Sequence, residues 1–161
     1  MSADAGATSV SGRAPRVRQR NGASPVTSIP VTSAESIVDV ADRLFAAIEN
    51  SDMAAVDRLW SDDIAVWRVG AHRDNDKARA LRVIDWFITT TTERHYQILD
   101  RQLFDNGSIR GFVQQHILHA TGHADQSISL RVCIVIKIGT DGLIGRIDEY
   151  FDPAGIAPLL D

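Results

Sequence analysis

Three apolar-rich runs between residues 109 and 152 dominate the pattern of hydrophobic and polar positions in this chain. The runs are rich in Val and Ile, and they are separated by a loop around Gly122 and a tight turn at 139–142. Such runs bounded by Gly and Asp are typical of an antiparallel meander. Asn106-Gly107, just upstream, is a strong hairpin signal that joins the meander to one further strand.

Helical periodicity and shorter apolar runs alternate before the meander. They predict an amphipathic helix over 32–50, a second helix over 52–60, a strand over 64–69, a third helix over 78–88 and a strand over 96–104. After the meander, Pro153 and Pro158 allow only one helical turn or a lid. Helices followed by a run of antiparallel strands predict the α+β class, with three N-terminal helices on the concave face of a strongly curved sheet.

Residues 1–31 lack apolar periodicity and contain three prolines, which predicts a disordered leader before one domain over 32–161. The leader carries four arginines and one acid, so the domain is more acidic than the net charge of −4 indicates. An acidic domain repels phosphate backbones, and we expect no nucleic-acid partner. No apolar run is long enough to cross a bilayer, which predicts no membrane partner and a cytoplasmic location.

A few polar residues interrupt the apolar rows of the meander. Pairing across its last turn places Glu149, the lone acid of its row, opposite Val132. On the first strand of the meander, His116 shares a face with Phe112 and Gln114 and also aligns near Val132. His116 and Glu149 would then flank Val132 about 10 Å apart, and in a concave sheet their tips can converge on a small ligand.

The opposite face of the meander mixes apolar and polar side chains. A half-apolar face that the helices leave uncovered is typical of a protein interface, so we expect a homodimer through this outer sheet face. The face carries Val113, Gln115, Ile117, Arg131, Cys133, Val135, Arg146, Asp148 and Tyr150.

Glu149 and His116 are the residues of chemical interest. A carboxylate among apolar neighbours loses solvation of its charged form, which suits it to acid/base work near neutrality, and an imidazole can carry the matching proton. Arg68, if it points inward, would hold Glu149 ionised or stabilise an oxyanion. The alternatives are a structural carboxylate and a core histidine. Trp86 can serve as core, as ligand platform or as both.

Three histidines give the spacing HxxHxxxH, at His116, His119 and His123. Alternation along a strand puts His116 and His119 on opposite faces. We therefore predict no metal site.

The stretches IAVWRV, GFVQQHIL and DGLIGRIDEYFDPAGI resemble the SnoaL-like branch of the nuclear transport factor-like superfamily over residues 33–160. The resemblance implies a cone-shaped barrel, a pocket between the helices and the concave sheet, and frequent dimers. Polyketide cyclases, ketosteroid isomerases and limonene epoxide hydrolases belong to this branch, as do many proteins without known activity.

In the epoxide hydrolases, an Arg and an Asp on a middle strand join an Asp on the last strand to activate water. By resemblance those positions hold Gln114, His116 and Glu149 here, and Val66 and Arg68 replace the Tyr and Asn that position the water. Epoxide hydrolysis by that triad is therefore not expected. A histidine with a carboxylate is closer to what the polyketide cyclases of the branch use.

The sequence thus predicts a cofactor-independent acid/base enzyme, of isomerase, cyclase or lyase type, acting on a small, largely apolar carbonyl or polyketide-like molecule. Glu149 would be the base, His116 its acid or orienting partner, and Arg68 or Gln114 the polar anchor. The alternatives are a non-catalytic ligand-binding homodimer, an epoxide hydrolase with an altered triad, and a scaffold whose pocket its own side chains fill. The apolar ligand contacts are expected from Trp86, Phe112 and Val132.

Overall fold

The structure of the protein is a computed structural model that describes residues 33–160. The predicted leader lies outside the described residues. The elements are α1 (Ser33–Glu49), α2 (Met53–Leu59), β1 (Trp60–Arg68), α3 (Lys77–Thr90), β2 (Thr91–Asp105), β3 (Arg110–Gly122), β4 (Ser127–Ile138), β5 (Ile144–Phe151) and a C-terminal 3₁₀ helix (Pro153–Leu159). The predicted α+β class is confirmed. No helix in this range is long and apolar enough to cross a membrane.

The five strands form one curved sheet in the order β1-β5-β4-β3-β2. All neighbours are antiparallel except β1 and β5, which run parallel. The sheet is not closed, because β1 and β2 remain at its two edges. The barrel implied by the resemblance is therefore an open one. The core lies between the concave face and the helices, where Leu44 and Phe45 of α1 meet Phe112 and Ile136 of the sheet.

Local signals explain the helices. In α1 the buried positions recur at helical spacing, from Ile37 to Ile48. Asp52 caps α2 by accepting a hydrogen bond from the Ala55 amide at 2.9 Å, as its position in the sequence predicted. Trp60 was predicted in this helix, and that prediction is wrong. Trp60 instead opens β1, because its backbone pairs with β5 across the sheet.

One arginine joins the C-terminal ends of two helices to the sheet. The Arg94 guanidinium, on β2, donates to the carbonyl oxygens of Ile48 and Glu49 at the end of α1. It also donates to those of Ile88 and Thr91 at the end of α3, at 3.2 and 2.8 Å. Helix ends leave such carbonyls without an intrahelical partner. Arg94 satisfies them and fixes both helices on the concave face.

The register of the last hairpin differs from the predicted one. Glu149 pairs with Ile134 and not with Val132, because Ile138 pairs with Ile144, one residue later than expected, and the ladder shifts by one further residue between Lys137 and Ile138. The displacement is two residues, so Glu149 keeps its face. His116 pairs with Val132, as predicted. Glu149 and His116 consequently lie in neighbouring rows of the concave face.

The C-terminal 3₁₀ helix returns over the sheet, and its seven residues make it longer than the predicted single turn, with Pro158 inside it. Asp152 caps it by accepting a hydrogen bond from the Ala154 amide at 3.0 Å. Gly155 approaches β4 so closely that a Cβ at this position would lie 2.5 Å from Leu130 Cδ1. This close approach places Ile156 over the concave face, where it contributes to the site described next.

Candidate functional site

An apolar cavity of about 100 Å³ lies between α3, the concave face of the sheet and the C-terminal 3₁₀ helix. Its walls combine aliphatic and aromatic side chains, with two charged groups at one end. The charged groups are Arg68 and Glu149. The other lining residues are Val83, Ile84, Trp86, Phe87, Tyr96, Leu118, Ile128, Leu130, Val132, Phe151 and Ile156.

Arg68 and Glu149 form an ion pair at the polar end of the cavity. The parallel pairing of β1 with β5 sets the two residues side by side, and Arg68 Nε donates to Glu149 Oε2 at 2.5 Å. Both side chains are about four-fifths buried, with exposed fractions of 18% and 21%. The polar end thus holds a carboxylate and its counter-ion, and the pair carries no net charge.

Tyr96, on β2, lines the cavity and was not singled out in the sequence. Its ring packs against Phe45, with centroids 4.8 Å apart, and against His116, with centroids 5.2 Å apart. Burial raises the pKa of the Tyr96 phenol, and the negative charges of Glu149 and Glu49 raise it further. The phenol therefore stays protonated and is able to donate a hydrogen bond.

His116 lies behind the cavity and does not line it. It is 1% exposed and packs edge-on against the rings of Phe45 and Tyr96. Its Nδ1 lies 3.1 Å from Gln114 Nε2. Gln114 Oε1 accepts a hydrogen bond from Arg101 Nε at 2.7 Å, and this orients the amide so that its NH₂ group faces the imidazole. His116 Nδ1 is then the acceptor, and the ring hydrogen belongs on Nε2.

The buried imidazole is neutral at neutral pH. Burial lowers the pKa of His116 to about 4, against the opposing influence of Glu149, while the Arg101 charge lowers it further. Arg101 is itself paired with Asp42, at 2.7 Å. The chain of contacts from Asp42 through Arg101 and Gln114 to His116 therefore fixes a neutral ring under Tyr96.

A comparison with models of protein families identifies the family of this chain. A model of the SnoaL-like domain matches residues 41–147. The chain belongs to the SnoaL-like domain family. This result confirms the resemblance found in the sequence. A comparison with curated protein sequences finds no match.

Solved structures of low sequence identity share the fold of this SnoaL-like domain. PrhC from Penicillium brasilianum superposes with a TM-score of 0.68 at 14% identity, covering 78% of this chain and 86% of PrhC. An LEH-like epoxide hydrolase from M. tuberculosis gives 0.60 at 20% identity, covering 79% and 90%. SalBIII, an epoxide hydrolase/cyclase-like enzyme in pyran ring formation of the polyether salinomycin, gives 0.64 at 11%, covering 76% and 95%.

The seven candidate site residues of this SnoaL-like domain fall into two layers. Arg68, Glu149, Trp86 and Val132 line the cavity. The other three are fully buried on the same face without being among its lining residues; they are Phe112, Gln114 and His116. Alternation along the strands predicted the face correctly but carries no information on depth. No local sequence signal reveals the inward side of Tyr96, because its pairing with Leu118 lies beyond a register shift between Ile98 and Asp100.

The remaining histidines lie apart from the cavity. His119 is on the other face from His116, with Nε2 3.1 Å from the side-chain oxygen of Gln97. His123, in the β3–β4 loop, contacts the Thr89 carbonyl oxygen at 2.9 Å. Within residues 33–160, no group of three or more histidine, cysteine or acidic side chains is placed to hold a metal ion.

Because His116 is buried in its neutral form, we expect the stability of the SnoaL-like domain to fall at low pH. The folded-state pKa of about 4 lies below the ordinary value of 6.5, so the unfolded chain binds the proton more readily. The contribution of His116 is complete above pH 6.5 and is lost as the pH falls towards 4, by about 3 kcal/mol. Urea denaturation of the wild type and His116→Gln across this range should show their stability difference narrowing by that amount.

A second measurement checks the same prediction without a variant. An NMR titration of the wild-type imidazole should find His116 still neutral at pH 5. Titration near 6.5, or a stability difference that does not change with pH, would contradict the structural placement of this ring.

Proposed function

We propose that this SnoaL-like domain is a cofactor-independent acid/base enzyme that moves a proton on a small, largely apolar carbonyl compound. The observation that carries the proposal is the pairing of the Glu149 carboxylate with Arg68 at the polar end of an otherwise apolar cavity. Glu149 removes a proton from the carbon next to the carbonyl, and the electron pair of the C–H bond forms the enolate. Return of the proton at another carbon completes an isomerisation.

The negative charge that develops on the carbonyl oxygen requires donors in the cavity. Tyr96 is a protonated phenol in the cavity wall, and Arg68 is a cation at its polar end. Both suit the role of an oxyanion stabiliser. The neutral, buried His116 suits the orienting role, holding the Tyr96 ring, better than the role of an acid. Because these residues supply a base and two donors, the proposal assigns no cofactor.

The volume of the cavity limits the reacting group. A cavity of about 150 Å³ in another protein accommodates benzene. The space of about 100 Å³ here therefore fits a group no larger than a small ring. A polyketide-sized molecule would place only its reacting end inside. Enlargement would require α3 or the C-terminal 3₁₀ helix to move, since Trp86 and Ile156 form these walls.

Solvent-exchange NMR in D₂O tests the proposal. A panel of small cyclic ketones is incubated with the protein, and deuterium is followed at the carbon next to the carbonyl. Epoxides are included as the competing substrate class, and for them ring opening is followed. Enzyme-dependent exchange supports the proton-transfer role. A panel in which ketones raise the melting temperature while none exchanges would support the non-catalytic ligand-binding alternative instead.

Epoxide hydrolysis by an altered triad is the least supported alternative. Two of the three triad positions, Gln114 and His116, lie behind the cavity, out of reach of a water bound in it. Val66, at one position that holds the water by resemblance, is fully buried and apolar. Opening of an epoxide by the panel test would contradict this assessment.

We further propose that two copies associate through the outer sheet face. Val113, Ile117 and Val135 of this face are only partly covered within one chain, and Tyr150 is 47% exposed. Ile117→Glu is the test variant, because Arg131 lies opposite Ile117 and lets a single chain tolerate the new charge. Sedimentation should give a dimer for the wild type and for the turn control Thr140→Glu, and a monomer for Ile117→Glu. A monomeric wild type would contradict the proposal.

A further inference from the structure

The outer side of α3 carries a basic groove that adjoins the cavity. The groove has a volume of about 330 Å³ and is lined by Arg79, Arg82, Val83 and Trp86. Arg79 lies three and four residues before Arg82 and Val83, and Trp86 lies four and three residues after them, so the four side chains occupy one face of the helix. Val83 and Trp86 also line the cavity. The two spaces thus share a wall.

Trp86 lies between the two spaces and lines both of them. It is 38% exposed although it lines the cavity, so one part of the indole faces the enclosed space and another part reaches solvent. A chain that leaves the cavity beside Trp86 would enter the groove directly. Its apolar segment can lie against the indole, as aliphatic and aromatic groups commonly do at binding sites.

The groove is positively charged, in contrast to the acidic domain around it. Arg79 and Arg82 are exposed, and neither guanidinium is ion-paired within the described part of the chain. Asp85 is the one acid in the sequence of α3, against Lys77 and these two arginines. The cavity itself is electrically balanced by Arg68 and Glu149. A ligand's negative charge is therefore favoured in the groove, outside the cavity.

We propose that the substrate carries an anionic tail, a carboxylate or a phosphate, that binds Arg79 and Arg82 while its apolar end reacts in the cavity. This proposal rests on the proposed function of the cavity and names the class of its substrate. Size supports it as well as charge. Small-molecule sites usually have about 300–1,000 Å³, and the cavity has about 100 Å³, so a ligand of ordinary size would extend out of the cavity towards the adjoining groove.

Binding of ω-phenylalkanoates of increasing chain length tests the proposal by calorimetry. Each acid is compared with the alcohol of equal length, and one phosphate monoester is compared with the acid to distinguish the two anions. The acid of suitable length should bind about five- to twentyfold tighter than its alcohol, since two exposed guanidiniums contribute modestly each. The difference should shrink as salt is added.

Variants assign the effect to the groove. The double variant Arg79→Gln/Arg82→Gln should bind the acid no better than the alcohol, with the affinity for the alcohol unchanged. Arg58→Gln, an exposed arginine on α2 and outside the groove, is the matched control and should retain the full difference. Equal affinities of acid and alcohol in the wild type, or the same loss in Arg58→Gln, would overturn the anionic tail.

The outcomes also separate this proposal from the proposed function. If the alcohols bind and ketones exchange deuterium but the acids bind no more tightly than the alcohols, the proposed function of the cavity stands and only the anionic tail is overturned. If neither acids nor alcohols bind and no ketone exchanges, the proposed function fails and the tail with it.

Discussion

Replacing Glu149 with Gln is expected to slow deuterium exchange into a ketone substrate by about 10²–10⁴-fold, the usual contribution of a general base. The amide cannot accept the proton, although it has nearly the size of the carboxylate. Affinity for a ketone that fits the cavity should change little, because the apolar walls are untouched. Exchange rates and calorimetric affinities, measured on the same samples, separate these two effects.

Asp148→Asn is the matched control for Glu149→Gln. Asp148 is the adjacent residue on the outer face, forms an ion pair with Arg146 at 2.6 Å, and is 17% exposed, close to the 21% of Glu149. Both variants remove the charge of a largely buried carboxylate beside an arginine, but only one of them changes the cavity. Asp148→Asn should exchange at the wild-type rate. Equal losses in both variants would indicate a structural role for the Arg68–Glu149 pair.

Replacing Arg94 with Met is expected to reduce the free energy of unfolding by about 3 kcal/mol, because partly buried carbonyl oxygens of two helix ends lose a charged donor. Arg94→Lys should recover only part of this loss. An ammonium has no fork of donors that can reach α1 and α3 together. Urea denaturation of the two variants measures both effects.

Arg43→Met provides the control for a lost arginine. Arg43 pairs with Asp39 one turn earlier on α1, and the two side chains are 57% and 64% exposed. Such a surface pair contributes at most about 1 kcal/mol. A loss in Arg94→Met no larger than that in Arg43→Met would show that the two helices are held by apolar packing alone.

Local patterns in the sequence predicted most of the fold. Period-two alternation and Gly-rich turns gave the meander, and helical spacing gave α1 and α3. The same alternation placed Glu149 and His116 on one face. The contact of Arg68 with Glu149 was expected, and the ion pair is present. The strands, the helices and the shared face depend on residues close together in the chain, so a single sequence predicts them. The Arg68–Glu149 pair joins residues 81 positions apart and was expected only on condition that Arg68 points inward.

The features that the sequence did not predict depend on pairing between residues far apart in the chain. Ile138 pairs with Ile144, one residue later than expected, and a shift between Lys137 and Ile138 adds a second residue. Glu149 therefore lies two positions further along β4, and no residue of the turn indicates either change. Another shift, between Ile98 and Asp100, interrupts the alternation of β2 and so concealed the inward side of Tyr96. Depth below the surface of the face depends on α1, whose Phe45 covers His116. The pattern of apolar and polar residues on a single strand shows neither the register shifts nor the depth of a side chain.

The most direct test of the proposed function is a crystal structure with phenol, a ring-sized mimic of a cyclic enol. We expect phenol in the cavity, with its oxygen within about 3 Å of the Tyr96 hydroxyl or the Arg68 guanidinium and a ring carbon beside Glu149. Phenol bound only on the outer surface, with the cavity filled by the protein's own side chains, would contradict it.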